Sequence, residues 1–372
     1  MTRRPFRIAH LSDLHLSNFG ETLHAIWKTA LAKTYFRTGP GGRLWKTVWE
    51  SDGWRIQRAR LGRALHRLVD PWNHRHAFAS TQDALVRLAA VRSAAQTQRL
   101  ERPPGEAELR ALLKIEPENT NLALFWVARA VARRAPDAVI VTGDVTDDGA
   151  GHELLPRAFP EHAARRRLFA IPGNHDLSSL RVPLLHRPIS NVEKRRRFDG
   201  FMTSLGQKVL PEGVSWEVWD GRVAVIGLNT TSIPRSTARF SRGTVGEAQI
   251  AALDRLVHTD ADIAQAPIRI LCLHHHLADV DIARLPNYRR GAANMRLTDA
   301  RAVYAAARGS GVRLVLNGHR HVGYDLRLPG GIQVVSSPSS TLGDVVEESR
   351  YFYEIEIDEE RVDVHRVPLE WP

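Results

Sequence analysis

The sequence predicts an α/β protein with a mixed sheet, on three observations. Short apolar runs alternate with helical patterns in the first half, and the later half is strand-rich with hairpin turns such as Asp220-Gly221. The residues able to do chemistry stand just past the ends of apolar runs, where open α/β sheets place their ligands. Two packed sheets flanked by helices satisfy this pattern.

Taken in order, Phe6 to Leu11 reads as a short buried strand running into a polar turn. Ala138 to Val141, after Pro136, reads as a second, ending at Gly143-Asp144, and Leu168 to Ile171 as a third, ending at Pro172-Gly173-Asn174. Further strands are expected at Val223 to Leu228, Ile268 to Leu273, Val312 to Leu316, Ile332 to Ser336, Tyr351 to Ile357 and Val362 to Val367. Helices are expected at Asn121 to Arg134, Val192 to Leu205, Glu247 to Val257 and Thr298 to Ala307. Residues 1–19 and 120–372 thus form a core. Residues 20–119 read as a helical insertion, because Leu61, Leu65 and Leu68 recur at helical spacing and Ser80-Thr81-Gln82-Asp83 resembles a capping box.

Composition bounds the chemistry. The 372 residues are 43% hydrophobic and 25% charged, ordinary for a chain that folds around its own core. The single cysteine, Cys272, excludes a disulfide framework and a multi-thiolate zinc site, so a metal must be held by His, Asp, Glu or Asn. No signal-peptide pattern opens the chain and no apolar run approaches the roughly 20 residues that span a bilayer. The expectation is a cytoplasmic protein, with peripheral contact at the inner membrane face as an alternative. The net charge is +11, and residues 24–78 carry 11 Lys and Arg against three Asp and Glu, a local excess of eight. Five of the nine tryptophans, Trp27, Trp45, Trp49, Trp54 and Trp72, lie in that window. A solvent-facing cap and a surface for an anionic membrane both fit it. Nucleic acid fits less well, since Lys194-Arg195-Arg196-Arg197 adds charge without a recognition element. The oligomeric state is not legible.

Five segments carry metal-competent side chains at strand ends: Asp13-Leu-His15, Gly143-Asp144, Gly173-Asn174-His175-Asp176, His274-His275-His276 and Gly318-His319-Arg320-His321. Each alone is a common turn or capping pattern. Together they make the mixed carboxylate, imidazole and amide set that suits Mn, Fe or Zn. His10, three residues before Asp13, falls on the opposite strand face and reads as core.

In this order the set resembles the calcineurin-like metallophosphoesterase superfamily, over roughly residues 6–19 and 120–340. The resemblance implies a four-layer α/β/β/α sandwich holding two divalent ions. Asp13, His15, Asp144 and His321 would hold one ion; Asp144, Asn174, His275 and His319 would hold the other. Where the superfamily often has His-x-Pro, Leu277 replaces proline; the register then favours His275 with His274 as the alternative. Two such ions can clamp phosphate oxygens and activate a water for in-line attack. The resemblance places His175 near the leaving group and lets Asp176 orient an imidazole. Gly143-Asp-Val-Thr-Asp-Asp-Gly149 resembles bacterial cyclic-nucleotide phosphodiesterases, implying a phosphodiester substrate. The alternatives are a pyrophosphatase acting on a lipid-linked nucleotide such as UDP-diacylglucosamine and a non-catalytic protein-binding scaffold. Arg320 is expected at the mouth of the site.

Overall fold

The computed structural model describes residues 4–17, 45–51, 54–59, 66–69, 75–78, 103–115, 117–147, 149–178, 190–231, 241–278, 295–347, 349–359 and 361–372. Two sheets carry the core. The first has five strands in the order Arg361–Pro368, Tyr351–Asp358, Phe6–Leu11, Ala138–Val141 and Leu168–Ala170. Phe6–Leu11 runs antiparallel to Tyr351–Asp358 and parallel to Ala138–Val141. The second has seven, in the order Tyr324–Arg327, Gln333–Ser336, Leu314–Asn317, Ile268–Cys272, Val223–Leu228, Val214–Trp219 and Lys208–Val209. Its four central strands are parallel and its outer pairs antiparallel, so both sheets are mixed as expected.

Strand alternation decides the layers. Ile8, Ala138, Ile140, Phe169, Val223, Val225, Ile268, Ile270, Leu314 and Leu316 belong to one buried cluster contributed by both sheets. Their neighbours Ala9, Leu11, Val139, Val141 and Leu168 lie instead in a cluster with Leu122, Phe125 and Trp126 of the helix Thr120–Arg134 and Phe198 and Phe201 of the helix Asn191–Ser204. On the far side Ala224, Ile226, Leu271, Val315 and Val334 pack with Leu253 and Leu256 of Glu247–Thr259 and Val303 of Ala300–Gly309. Helix, sheet, sheet, helix is therefore the stacking order, and strands buried on both faces read as continuous apolar runs.

Four described segments of the insertion are strands where helix was expected. Trp45–Ser51, Trp54–Ala59, His66–Val69 and Arg75–Phe78 form a four-stranded antiparallel meander. Ile56 is buried between half-buried Arg55 and Gln57, a period of two, and Arg67 donates to the Gln57 amide oxygen across the strands at 2.7 Å. Ser51 pairs with Trp54 across Asp52-Gly53, a residue pair that favours two-residue hairpins. Leu68 is thus a strand residue, and the i, i+4, i+7 spacing that Leu61 and Leu65 suggested does not describe a helix through it. The capping box at Ser80–Asp83 lies outside the described residues. The helix Glu106–Ile115 buries Leu109 and Leu113 in the same cluster as Phe125 and Trp126.

His10 is buried on the inner face, 3.0 Å from the Thr142 hydroxyl, and His152 packs on Phe198 and Phe201 at 5.6 and 5.2 Å between ring centres. Burial holds the pKa of each at about 3, against an ordinary 6.5, and Lys194 and Arg197 push His152 the same way.

Both rings are neutral in the folded chain, whereas the unfolded chain takes up their protons below about pH 6.5. Stability is therefore fully present above that pH and is lost as the pH falls from 6.5 towards 3. Urea unfolding across this range should show a falling midpoint, with a shallower fall in His10→Phe; an unchanged slope would contradict the assignment. Ile140→Ala, at the centre of the inter-sheet cluster, should cost about 2–5 kcal/mol in the same assay at neutral pH.

Candidate metal centre

The inter-sheet core ends in a polar cluster built on unusual backbone. Asp13, His15, Asp144, His319 and His321 have φ of 50°, 49°, 48°, 77° and 52°, all left-handed, a conformation that costs an L-residue roughly 1–2 kcal/mol. Hydrogen bonds hold it. In the Ser12–Ser17 loop the carbonyls of Asp13, Leu14 and His15 accept from the hydroxyls of Ser339, Thr341 and Thr120 at 2.6, 2.8 and 2.8 Å. The amides of Asp13 and His15 donate to the carbonyls of Gly143 and Asp144. Ser17 and Asn121 are bonded both ways, backbone amide to side-chain oxygen at 3.1 Å and side-chain amide to backbone carbonyl at 2.7 Å. Gly173 and Gly318 press so closely on Asp144 and on Ser12 and Asp13 that a Cβ at either position would overlap them.

These loops bring side chains together in two adjoining groups. In one, His274 Nε2 lies 3.1 Å from Asn174 Oδ1, 3.2 Å from His319 Nδ1 and 3.3 Å from Asp144 Oδ2. In the other, His321 Nε2 lies 2.9 Å from His15 Nε2 and 3.4 Å from Asp13 Oδ1. Asp144 Oδ2 is also 3.9 Å from His15 Nε2, so it faces both groups. The remaining atoms are anchored outward. Asp144 Oδ1 accepts from the His175 amide at 2.8 Å, and the Asp13 carboxylate accepts from the His319 amide at 2.9 Å. His274 Nδ1 donates to the Thr142 carbonyl at 2.9 Å, and His319 Nε2 donates to the Ser241 carbonyl at 3.0 Å. Those outward bonds turn the other ring nitrogens inward, towards the carboxylates. Oxygen and nitrogen atoms able to act as metal ligands thus converge, an arrangement suited to a cation between them.

The electrostatics agree. Burial pushes the Asp13 carboxyl up, but His321 and His274 outweigh it and leave its pKa at about 2. Burial likewise opposes ionisation of Asp144, and His274, His175 and His15 hold it well below the usual carboxylate range. Burial lowers His274, yet Asp144 and Asp13 raise it to about 9. Two buried carboxylates draw positive charge to this nitrogen.

His274 rather than His275 occupies the position expected of the later ligand. Ile270 and Cys272 face the inter-sheet core, whereas Leu271 and Leu273 face the outer helices; His274 continues the inner parity and His275 the outer. His275 bonds the Thr230 hydroxyl at 2.7 Å and packs behind His319 at 4.2 Å between ring centres. His276 bonds the Ser336 hydroxyl at 3.2 Å. Arg320 is buried at 3% exposure rather than placed at a solvent-facing mouth.

Asp176 also differs from expectation. Its carboxylate accepts from the amides of Gly173, Val145 and Thr146 and from the Thr146 hydroxyl, at 2.7–3.0 Å. It ties the Asp144 loop to the Asn174 turn, and burial with Asp144 nearby raises it to about 6. The imidazole-orienting carboxylate is Asp147, whose Oδ1 lies 2.7 Å from His175 Nδ1 and 3.1 Å from His15 Nδ1. Sequence reasoning passed over it, although it stands within Gly143–Gly149, three residues after Asp144. His175 is 22% exposed in its side chain, against 0–6% for Asp13, Asp144, His15 and His274, so it borders solvent. Burial lowers its pKa, but Asp144 and Asp147 more than restore it, so it is raised.

Two stacked mixed sheets with a buried carboxylate, imidazole and amide centre at the strand ends define the architecture of a dinuclear phosphoesterase. The chain belongs to the calcineurin-like phosphoesterases, whose family model matches residues 6–323. Among solved structures it is similar to a dimetal phosphatase from Danio rerio, at 12% identity and TM-score 0.49 over 100% of both chains. It is also similar to a purple acid phosphatase from yellow lupin, Lupinus luteus, at 11% identity and TM-score 0.44 over 66% of this chain and 47% of that one. No curated protein matches it significantly. The protein is a metal-dependent phosphoric ester hydrolase, and its family implies two divalent ions. The converging donor atoms fit such ions, and the scaffold alternative is set aside.

His274→Ala should lower the metal bound after reconstitution, measured by inductively coupled plasma mass spectrometry, from two ions per chain towards one. His275→Ala should keep both. The reverse result would restore the expectation from the sequence register.

Proposed function

We propose that the enzyme hydrolyses phosphodiesters, with a cyclic-nucleotide phosphodiesterase-like substrate class. Asp13, His15, Asp144 and His321 would hold one ion, and Asp144, Asn174, His274 and His319 the other. When bound, such ions neutralise phosphate oxygens and activate water for in-line attack. The observation that carries the reading is the His175–Asp147 pair: a part-exposed imidazole whose Nδ1 lies 2.7 Å from a buried carboxylate, near Asp144. An imidazole so placed, its protonated form favoured by Asp144 and Asp147, can deliver a proton to an alkoxide leaving group, which matters most for esters of poor leaving groups. Asp147 keeps the Nδ1–H directed inward, leaving Nε2 as the nitrogen available for transfer. Asp176 fixes the loops that carry Asp144 and His175. The run Gly143–Gly149, with its resemblance to cyclic-nucleotide phosphodiesterases, supports the diester class.

A second reading, a pyrophosphatase on a lipid-linked nucleotide at an anionic membrane, is favoured by the insertion. Its sheet lies in a stretch with eight excess positive charges, and Arg58 and Val48 are exposed on it. No helix among the described residues is long and apolar enough to cross a membrane.

Side-by-side assays with Mn²⁺ on bis(p-nitrophenyl) phosphate, p-nitrophenyl phosphate, cyclic AMP and UDP-diacylglucosamine, with Asp144→Ala as control, separate these readings. Turnover of the diester or cyclic nucleotide, lost in the variant, is the expected outcome; turnover of the monoester alone would overturn it, and turnover of the lipid nucleotide alone would favour the second reading. His175→Ala should slow hydrolysis of a diester with a poor leaving group by roughly 10²–10⁴-fold.

A further inference from the structure

The helix Asn191–Ser204 meets the catalytic loops through one buried cation. Lys194 is 2% exposed, and its ammonium donates to the carbonyls of His175 at 2.6 Å, Ser178 at 3.1 Å and Asp147 at 3.3 Å. Two of these carbonyls belong to the short turn Asn174–Leu177 and its C-cap, Ser178, where carbonyls run out of helical partners. The third belongs to the other loop. The lysine therefore joins the two backbone segments that bear His175 and Asp147, whose side chains meet at 2.7 Å.

The rest of the helix is shaped to the same end. The Lys194 stem passes over Gly149, where an added Cβ would stand 2.8 Å from Lys194 Cγ, and Gly149 has a φ of +80°. One turn on, Arg197 donates to the Gly149 carbonyl at 3.1 Å, while Glu193 binds Arg196 and Arg197 on the solvent side. Of the basic run read as a surface patch, Lys194 is thus an interior residue. A charged group brought into a buried socket of three carbonyls is costly unless the geometry is well matched.

We infer that Lys194 is a positioning residue for leaving-group protonation: by holding the carbonyls of Asp147, His175 and Ser178 it sets the spacing between the carboxylate and the imidazole. This rests on the role proposed for His175. Hydrolysis of an activated and an unactivated aryl diester separates that role from general structural support. Departure of p-nitrophenoxide needs little proton assistance and departure of phenoxide needs more.

The test compares wild type, Lys194→Met and His175→Ala in the full chain, each reconstituted with Mn²⁺, on bis(p-nitrophenyl) phosphate and diphenyl phosphate. Metal content and thermal midpoint are measured on the same samples. The expected result for Lys194→Met is two bound ions, a loss in kcat of at least about tenfold on diphenyl phosphate and a several-fold smaller loss on the nitrophenyl ester. His175→Ala should show the same pattern more strongly. Equal losses on both esters in Lys194→Met, or loss of a metal ion, would overturn the positioning role while a leaving-group-dependent His175→Ala left the general acid intact. Equal losses in His175→Ala would instead remove the general acid itself. Should Lys194→Met not accumulate as folded protein, Lys194→Gln, whose shorter amide cannot hold all three carbonyls, takes its place: a loss larger on diphenyl phosphate than on the nitrophenyl ester supports the role, and equal losses or none overturn it.

Discussion

Asp13 and Asp144 lie at 0% and 2% exposure at the end of the inter-sheet core, and burial alone would make each carboxyl keep its proton. The surrounding amides and imidazoles reverse that preference. Backbone N–H groups of His319 and His175 hold one side of each carboxylate, and His321, His15 and His274 face the other. Bringing two such charges out of water costs several kcal/mol each unless they are matched. Most of the local structure can be understood as meeting that cost. The left-handed turns aim the side chains inward, the glycines allow loops to touch, and hydroxyls from Thr120, Ser339 and Thr341 fill carbonyls that the turns remove from regular structure.

The layers explain why this cluster sits where it does. Parallel strands of both sheets finish at the same edge, and residues of inner parity, Ile140 followed by Thr142 and Cys272 followed by His274, carry the inter-sheet surface from apolar to polar within two positions. Among the described residues, the long outer helices Thr120–Arg134 and Asn191–Ser204 approach the converging side chains through contacts to the loops that carry them. Lys194 is such a contact, and Thr120 and Asn121 are others.

What the sequence made legible was the part written in residue type and order. Apolar runs located the principal core strands, four short motifs located six of the converging side chains, and a fifth held the seventh, His274, as the alternative to His275. Two features were written in geometry instead. Choosing between His274 and His275 required the parity of Ile268–Cys272, which the apolar run itself contains: alternate residues face different layers, and counting from Ile270 selects His274. Asp147, Lys194 and the hydroxyls act through contacts between segments 16 to more than 300 positions apart, and no spacing rule finds those. The insertion misled because Leu61, Leu65 and Leu68 offered a helical period, while Asp52-Gly53 and the alternation around Ile56 pointed to hairpins.

Ser17 and Asn121 are 104 positions apart and share two hydrogen bonds. Two stretches far apart in sequence are therefore joined at a closed gate one residue beyond Leu16, and the helix Glu106–Ile115 between them packs on the same core. For a flexible excursion, the entropy of joining two ends grows only logarithmically, roughly 0.6 kcal/mol for each doubling of length. A gate of this kind makes the catalytic body nearly indifferent to how much sequence passes through it. Lengthening the excursion between these two residues should therefore cost the centre little, because the bonds that close it lie on the core side.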